Sequence, residues 1–172
     1  AGLLVALTVV VVGSVVGAWA GIQGILGNKY SFWFGHQGYE YVELGRVWQL
    51  LLIGGMVFWL WLMYRALQPA LKKGGSITGL NHFFFYSAVT IPLFYSAGLM
   101  YTNHTPLSIA EYWRWWVVHL WVEGFFEVFA TTVIAFVFMR LHLIRPGIAA
   151  AAALLSATIF LSGGIIGTCH HL

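Results

Sequence analysis

Three ionisable side chains interrupt one apolar run of this 172-residue chain: His119, Glu123 and Glu127, in WWVVHLWVEGFFEVF. Spacings of four place them on one face of a helix. A second apolar run ends in GGIIGTCHHL, where His170 and His171 are adjacent. Left alone in hydrocarbon, each such group costs several kcal/mol. A metal ion removes that cost, because neutral imidazole and carboxylate are its ordinary ligands. His119 and Glu123 from one helix, with His170 and His171 from another, make a set of three nitrogens and an oxygen. That set suits iron, manganese or zinc better than Cu(I). Glu127, one turn deeper, reads either as a group that orients the ligands or as a proton carrier. His119 taken alone reads equally well as a residue hydrogen-bonding between helices. The convergence of five ionisable groups is what favours a metal.

The elements that position these groups follow from composition. The chain is 60% hydrophobic and 8% charged, against about 25% charged residues in soluble domains. So little charge cannot cover a surface facing water, and the natural solvent is a bilayer. There the backbone must satisfy its own hydrogen bonds, and long non-alternating apolar runs select helices over a barrel. The fold expected is an all-α membrane protein, a transmembrane helical bundle of about five spans near 1–22, 46–71, 82–101, 113–141 and 148–172. The connections are short and no repeat occurs, so residues 1–172 form a single transmembrane region. The chain begins with Ala1 and ends at Leu172 inside an apolar run, and it reads as a fragment of a longer protein. The net charge of +3 points to no nucleic-acid partner, and a single cysteine, Cys169, leaves no internal disulfide.

Basic residues set the orientation. Arg65, Lys72 and Lys73 fall between the second and third spans, and Arg140 and Arg145 between the fourth and fifth. The other connections hold Lys29, Arg46 and Arg114, offset by Glu40, Glu43 and Glu111. The excess places the first two groups in the cytoplasm. Trp113, Trp115 and Trp116 then lie in the outer aromatic belt. His119 falls about two turns below the outer start of its helix, roughly 9 Å in. The terminal histidine pair belongs to the same outer half. Cys169 reads as a small packing residue, His142 as solvated, and His82 and His104 as interfacial residues without a role. Glu40 and Glu43 lie in a Gly-rich, aromatic outer loop, either simply solvated or offering the oxygen ligands calcium favours.

The segments FWFGHQGYEYVELGRVWQ, IPLFYSAGLMY, HTPLSIAEYWRWWVVHLWVEGFFEVFATTVIAFVF and SGGIIGTCHHL closely resemble bacterial quinol-dependent nitric oxide reductases of the haem–copper oxidase superfamily. The resemblance covers nearly the whole chain. It implies the central part of a catalytic subunit, one piece of a larger haem–copper oxidase-type bundle in the bacterial cytoplasmic membrane. The implied activity is respiratory: quinol-dependent reduction of two nitric oxide molecules to nitrous oxide and water, as in denitrification. By motif, His119, His170, His171 and Glu123 would bind a non-haem iron, and Glu127 would help deliver protons. Glu40 would lie near haem propionates and help hold calcium, with Glu43 beside it in a polar path. Low-spin and high-spin haem b would have their axial ligands outside this chain, as would the quinol site. The partners implied are nitric oxide, quinol, the lipid bilayer and the remainder of the same subunit.

One departure from oxygen-reducing relatives separates the readings. Those enzymes carry a tyrosine four residues after the first histidine ligand, and copper as the metal; here that position is Glu123. A hard anionic ligand favours iron over copper. An oxygen reductase, a dismutase-like relative and a non-catalytic metal-binding membrane subunit are the alternatives. The fragment alone is expected to be inactive.

Overall fold

The computed structural model describes residues 1–38, 43–72 and 79–169, with Phe126 described by its backbone only. Glu40, Lys73, His170 and His171 lie outside the described residues. The described chain is helical: α1 Gly2–Ile22, α2 Gly27–Phe34, α3 Arg46–Lys72, α4 Leu80–Tyr95, α5 Leu107–Trp115, α6 Ala130–Arg140 and α7 Pro146–Gly167. A 3-10 turn, Ser96–Leu99, continues α4. Two π-helical segments, Trp116–Trp121 and Glu123–Phe129, join α5 to α6 in one helical run.

Among the described residues four runs are long and apolar enough to cross a membrane: Gly2–Ile22, Arg46–Lys72, Leu107–Arg140 and Pro146–Gly167. Helix α4 is the fifth element of the bundle, at 16 residues shorter than the span expected from sequence. Pro92 lies in its last turn, where a proline removes a backbone donor and loosens the helical ladder. The fourth span, by contrast, begins at Leu107, six residues before the expected start. His119 therefore stands 12 residues, about 18 Å, along its helical run, rather than two turns in. Pro106 ends the preceding loop with extended backbone and leaves Leu107 free to start the helix. The connection between the first two spans holds α2, which no long apolar pattern announces.

Packing follows residue size. Helix α1 buries little beyond Val10 and Gly17 and exposes Val, Leu and Trp on most of its surface, the pattern of a helix solvated by hydrocarbon. Helix α4 is the most enclosed, with Ser87, Ala88, Ile91, Pro92 and Tyr95 buried. Helices α6 and α7 meet through Ala135, Ala149 and Ala153 beside Leu80. Small residues let two backbones approach closely where no hydrophobic force drives association.

The α6–α7 turn closes through a left-handed residue. His142 has φ 59°, and Leu143 N–H donates to Phe138 O at 3.0 Å. This is the Schellman arrangement, with His142 where glycine is usual. Pro146 then occupies the first turn of α7, where its missing N–H costs nothing. His142 is exposed, as its position at a span end predicts.

Candidate metal-binding site

The site starts on the two π segments. A π-helix closes i→i+5 hydrogen bonds, so it is wider than an α-helix; it is rare and frequently found at functional sites. Residues four apart therefore remain on one side, rotated slightly the opposite way from an α-helix. His119 Nδ1 and Glu123 Oε1 lie 3.1 Å apart, with side chains 26% and 19% exposed. Trp115 stacks on the His119 ring at 5.0 Å between centroids and 25° between planes. The Arg114 guanidinium lies over the Trp115 ring at 4.7 Å. Arg114 in turn donates from Nε and Nη2 to the two oxygens of Glu111, at 3.1 and 3.0 Å. A series of contacts from Glu111 through Arg114 and Trp115 thus holds the imidazole in place.

Helix α7 supplies the opposite wall. Gly164 lies against the His119 carbonyl, where a Cβ would be 3.3 Å from the oxygen. At Gly167 a Cβ would fall 2.7 Å from His119 Cγ and Nδ1, a separation real side chains do not show. Only a glycine lets the end of α7 approach this ring. Further down, Ser156 Oγ donates to the Glu127 carbonyl at 3.4 Å. These contacts fix an antiparallel register in which the last turn of α7 reaches the depth of His119.

His119 and Glu123 are brought together. Glu127 lies one turn along, half-buried, and its Oε2 has no hydrogen-bond partner among the described residues. Glu123 Oε2 is likewise buried without a partner there. His170 and His171, the other two expected ligands, and Glu40, the expected calcium-side group, lie outside the described residues. Among the described residues no group of three or more His, Cys, Asp or Glu side chains gathers to hold a metal. Cys169 is exposed rather than packed.

The His119–Glu123 pair nevertheless suits a common cation. Ligand bonds of about 2.1 Å put neighbouring donors of an octahedral ion about 3.0 Å apart and of a tetrahedral ion about 3.4 Å apart. The observed 3.1 Å lies between these values. The second carboxylate oxygen, buried and unpartnered, is the kind of atom a metal or proton satisfies.

A second polar cluster lies at the same end of the bundle. Arg46, at the start of α3, is 6% exposed, although charge counting treats it as one more loop cation. Its Nη1 donates to Gly98 O at 3.1 Å, and its Nη2 to Tyr101 O and to Gln37 Oε1. Phe32 and Tyr101 rings flank the guanidinium at 5.1 and 5.3 Å. Gln37 Nε2 donates to Leu44 O at 2.6 Å and to Gln49 Oε1 at 3.1 Å. This cluster ties the first outer connection to the C-terminal end of α4. The only sequence signal for it is an arginine with nearby glutamines at a span boundary. Trp115 was equally hard to foresee, because in sequence it is one of three interfacial tryptophans.

Comparison with known proteins adds two findings. The family described as Cytochrome C and Quinol oxidase polypeptide I matches residues 2–172. A nitric oxide reductase subunit of Stutzerimonas stutzeri is 35% identical over 69 residues, 40% of this chain. The matched stretch spans 15% of that relative's length.

Proposed function

The chain belongs to the cytochrome c and quinol oxidase polypeptide I family, and we propose that it is part of a quinol-dependent nitric oxide reductase. The family makes it part of a multi-pass membrane oxidoreductase of the haem–copper oxidase type. The finer activity is the coupling of two nitric oxide molecules with two electrons and two protons to give nitrous oxide and water. The observation that carries this reading is the His119–Glu123 pair, a carboxylate at the position where oxygen-reducing relatives have tyrosine. The partial likeness to a protein named as a nitric oxide reductase subunit supports it.

In this reading His119 and Glu123, with His170 and His171, would hold a non-haem iron. The approach of Gly167 to His119 supports the ligand set, since three residues reach at most about 11 Å along the chain. When bound, the iron supplies Lewis acidity that stabilises negative charge developing on bound nitrogen oxides. Trp115 fixes the plane of His119 and so the direction of its ring nitrogens. Glu123 would be a ligand, and its buried Oε2, unpartnered among the described residues, could carry a proton. Glu127, with Oε2 buried and unpartnered among the described residues, takes up and passes a proton towards Glu123. The remainder of the subunit would carry low-spin and high-spin haem b and the quinol site. Glu40 would hold calcium beside a haem propionate, and the Arg65–Arg140 end would face the cytoplasm of a bacterial inner membrane.

The test is His170→Ala in the full-length enzyme. Non-haem iron should fall away while the haem spectra persist. Retention of full iron content would refute the ligand assignment. The family, as its description says, takes in oxidases as well. Supplying the purified enzyme with nitric oxide or with oxygen, and identifying the product, separates the two.

A further inference from the structure

The end of the bundle away from His119 carries cations without acids. Arg65, Lys72, Arg140 and Arg145 belong to this end, while the chain's five carboxylates are Glu40, Glu43, Glu111, Glu123 and Glu127. None of those five lies between residues 44 and 110 or after 127. The two arginines nearest the helices rest on aromatic rings instead: Arg65 over Trp61 at 4.8 Å and Arg140 over Phe136 at 5.8 Å. Beside Arg140 open two adjoining clefts that share Asn81. One, of about 360 Å³, lies between Pro69, Ala70, Asn81 and Arg140. The other, of about 500 Å³, runs between Leu80 and Met139 on one side and Ala150, Ala151 and Leu154 on the other.

We propose that these clefts hold one anionic phospholipid, its phosphodiester beside Arg140 and Asn81 and an acyl chain in the groove towards Leu154. Charge complementarity selects the headgroup. A basic pocket between transmembrane helices, with no acid of its own, attracts anionic lipid. The groove selects a lipid over a soluble anion. Its floor is alanine and leucine, it opens beside exposed Leu154, and a small anion would leave it unfilled. The cationic mouth and apolar groove meet at Asn81, as a headgroup and its chain are joined. This inference is independent of the reaction the protein catalyses.

The experiment uses the intact protein in phosphatidylcholine vesicles, with spin-labelled phosphatidylglycerol or spin-labelled phosphatidylcholine as probe. The protein should retain the phosphatidylglycerol label selectively. Arg140→Gln should lower that selectivity about fivefold, the effect of one cation near a lipid phosphate. Arg140→Lys should keep most of it, which separates loss of charge from loss of fold. Ala151→Phe, filling the groove at unchanged charge, should also lower it. Arg65→Gln, an equal loss of charge outside both clefts, should have little effect. Equal losses in Arg65→Gln and Arg140→Gln would mean diffuse attraction and overturn the site. So would an Ala151→Phe protein with wild-type selectivity, displacement of the label by inorganic phosphate, or absence of any selectivity because other parts of the protein cover the cleft.

Discussion

Replacing Gly167 with alanine tests the geometry on which the site depends. The new methyl would lie 2.7 Å from His119 Cγ and Nδ1 and 2.9 Å from Cδ2. Carbon atoms rest at about 3.5–4.0 Å, so the ring or the end of α7 has to move by about 1 Å. Overpacking of this kind costs about 1–3 kcal/mol. Opposing it, alanine is favoured over glycine in a helix interior by about 1 kcal/mol. Gly163→Ala separates the two effects, because a Cβ there meets nothing within 4 Å among the described residues. The two variants share the helix-propensity gain and differ by the clash. Gly163→Ala should raise the thermal midpoint slightly or leave it unchanged. Gly167→Ala should fall below it by the overpacking cost. A displacement of about 1 Å at a reacting centre lowers turnover by roughly 100-fold, so activity should separate the variants more sharply than stability. The assay is thermal unfolding in detergent beside turnover and non-haem iron content of the full-length enzyme. Matching midpoints and matching turnover in the two variants would refute the close approach of α7 to His119.

Further outcomes follow from other residues. Glu123→Ala should nearly abolish nitric oxide turnover, and wild-type turnover would remove this carboxylate from the mechanism. Glu127→Gln should slow proton uptake in single-turnover measurements while leaving iron content intact; unchanged uptake would end its proton role. Arg46→Met removes a charged donor from the buried Gly98 and Tyr101 carbonyls and should lower stability by about 3 kcal/mol. Arg46→Lys should not rescue it, because one ammonium cannot reproduce the planar fork, and a wild-type midpoint for Lys would contradict the clamp. His142→Gly should raise stability by about 1 kcal/mol, since glycine adopts its φ of 59° without the cost a Cβ imposes. A fall in the thermal midpoint instead would mean the imidazole makes a contact worth more than the backbone strain.

Much of the bundle was legible because hydrocarbon leaves the backbone few choices. Apolar runs of spanning length must be helices, and α1, α3 and the start of α7 fall within two residues of the limits expected from composition. Pairing of His119 with Glu123 was legible as well, since a spacing of four keeps two residues adjacent in either helical register. Long-range backbone features were not. A switch from α to π hydrogen bonding between Trp116 and Phe129 leaves no local apolar signature, because it depends on what packs against the helix. The shortening of α4 and the early start at Leu107 arise in the same way, from a 3-10 turn and a loop that sequence hydrophobicity blurs into the spans.

Burial of charge is the clearest division. Sequence alone determined that this chain lives in a membrane as a helical bundle, and that its intramembrane ionisable residues include His119, Glu123 and Glu127 on one helix. It did so because the cost of charge in oil is large and depends only on residue type. Tertiary structure alone decided that Arg46 turns inward onto two backbone carbonyls, that Trp115 braces the imidazole, and that Gly167 admits α7 to its ring. Each of those outcomes depends on distances between side chains and segments that only the packed helices bring within contact range.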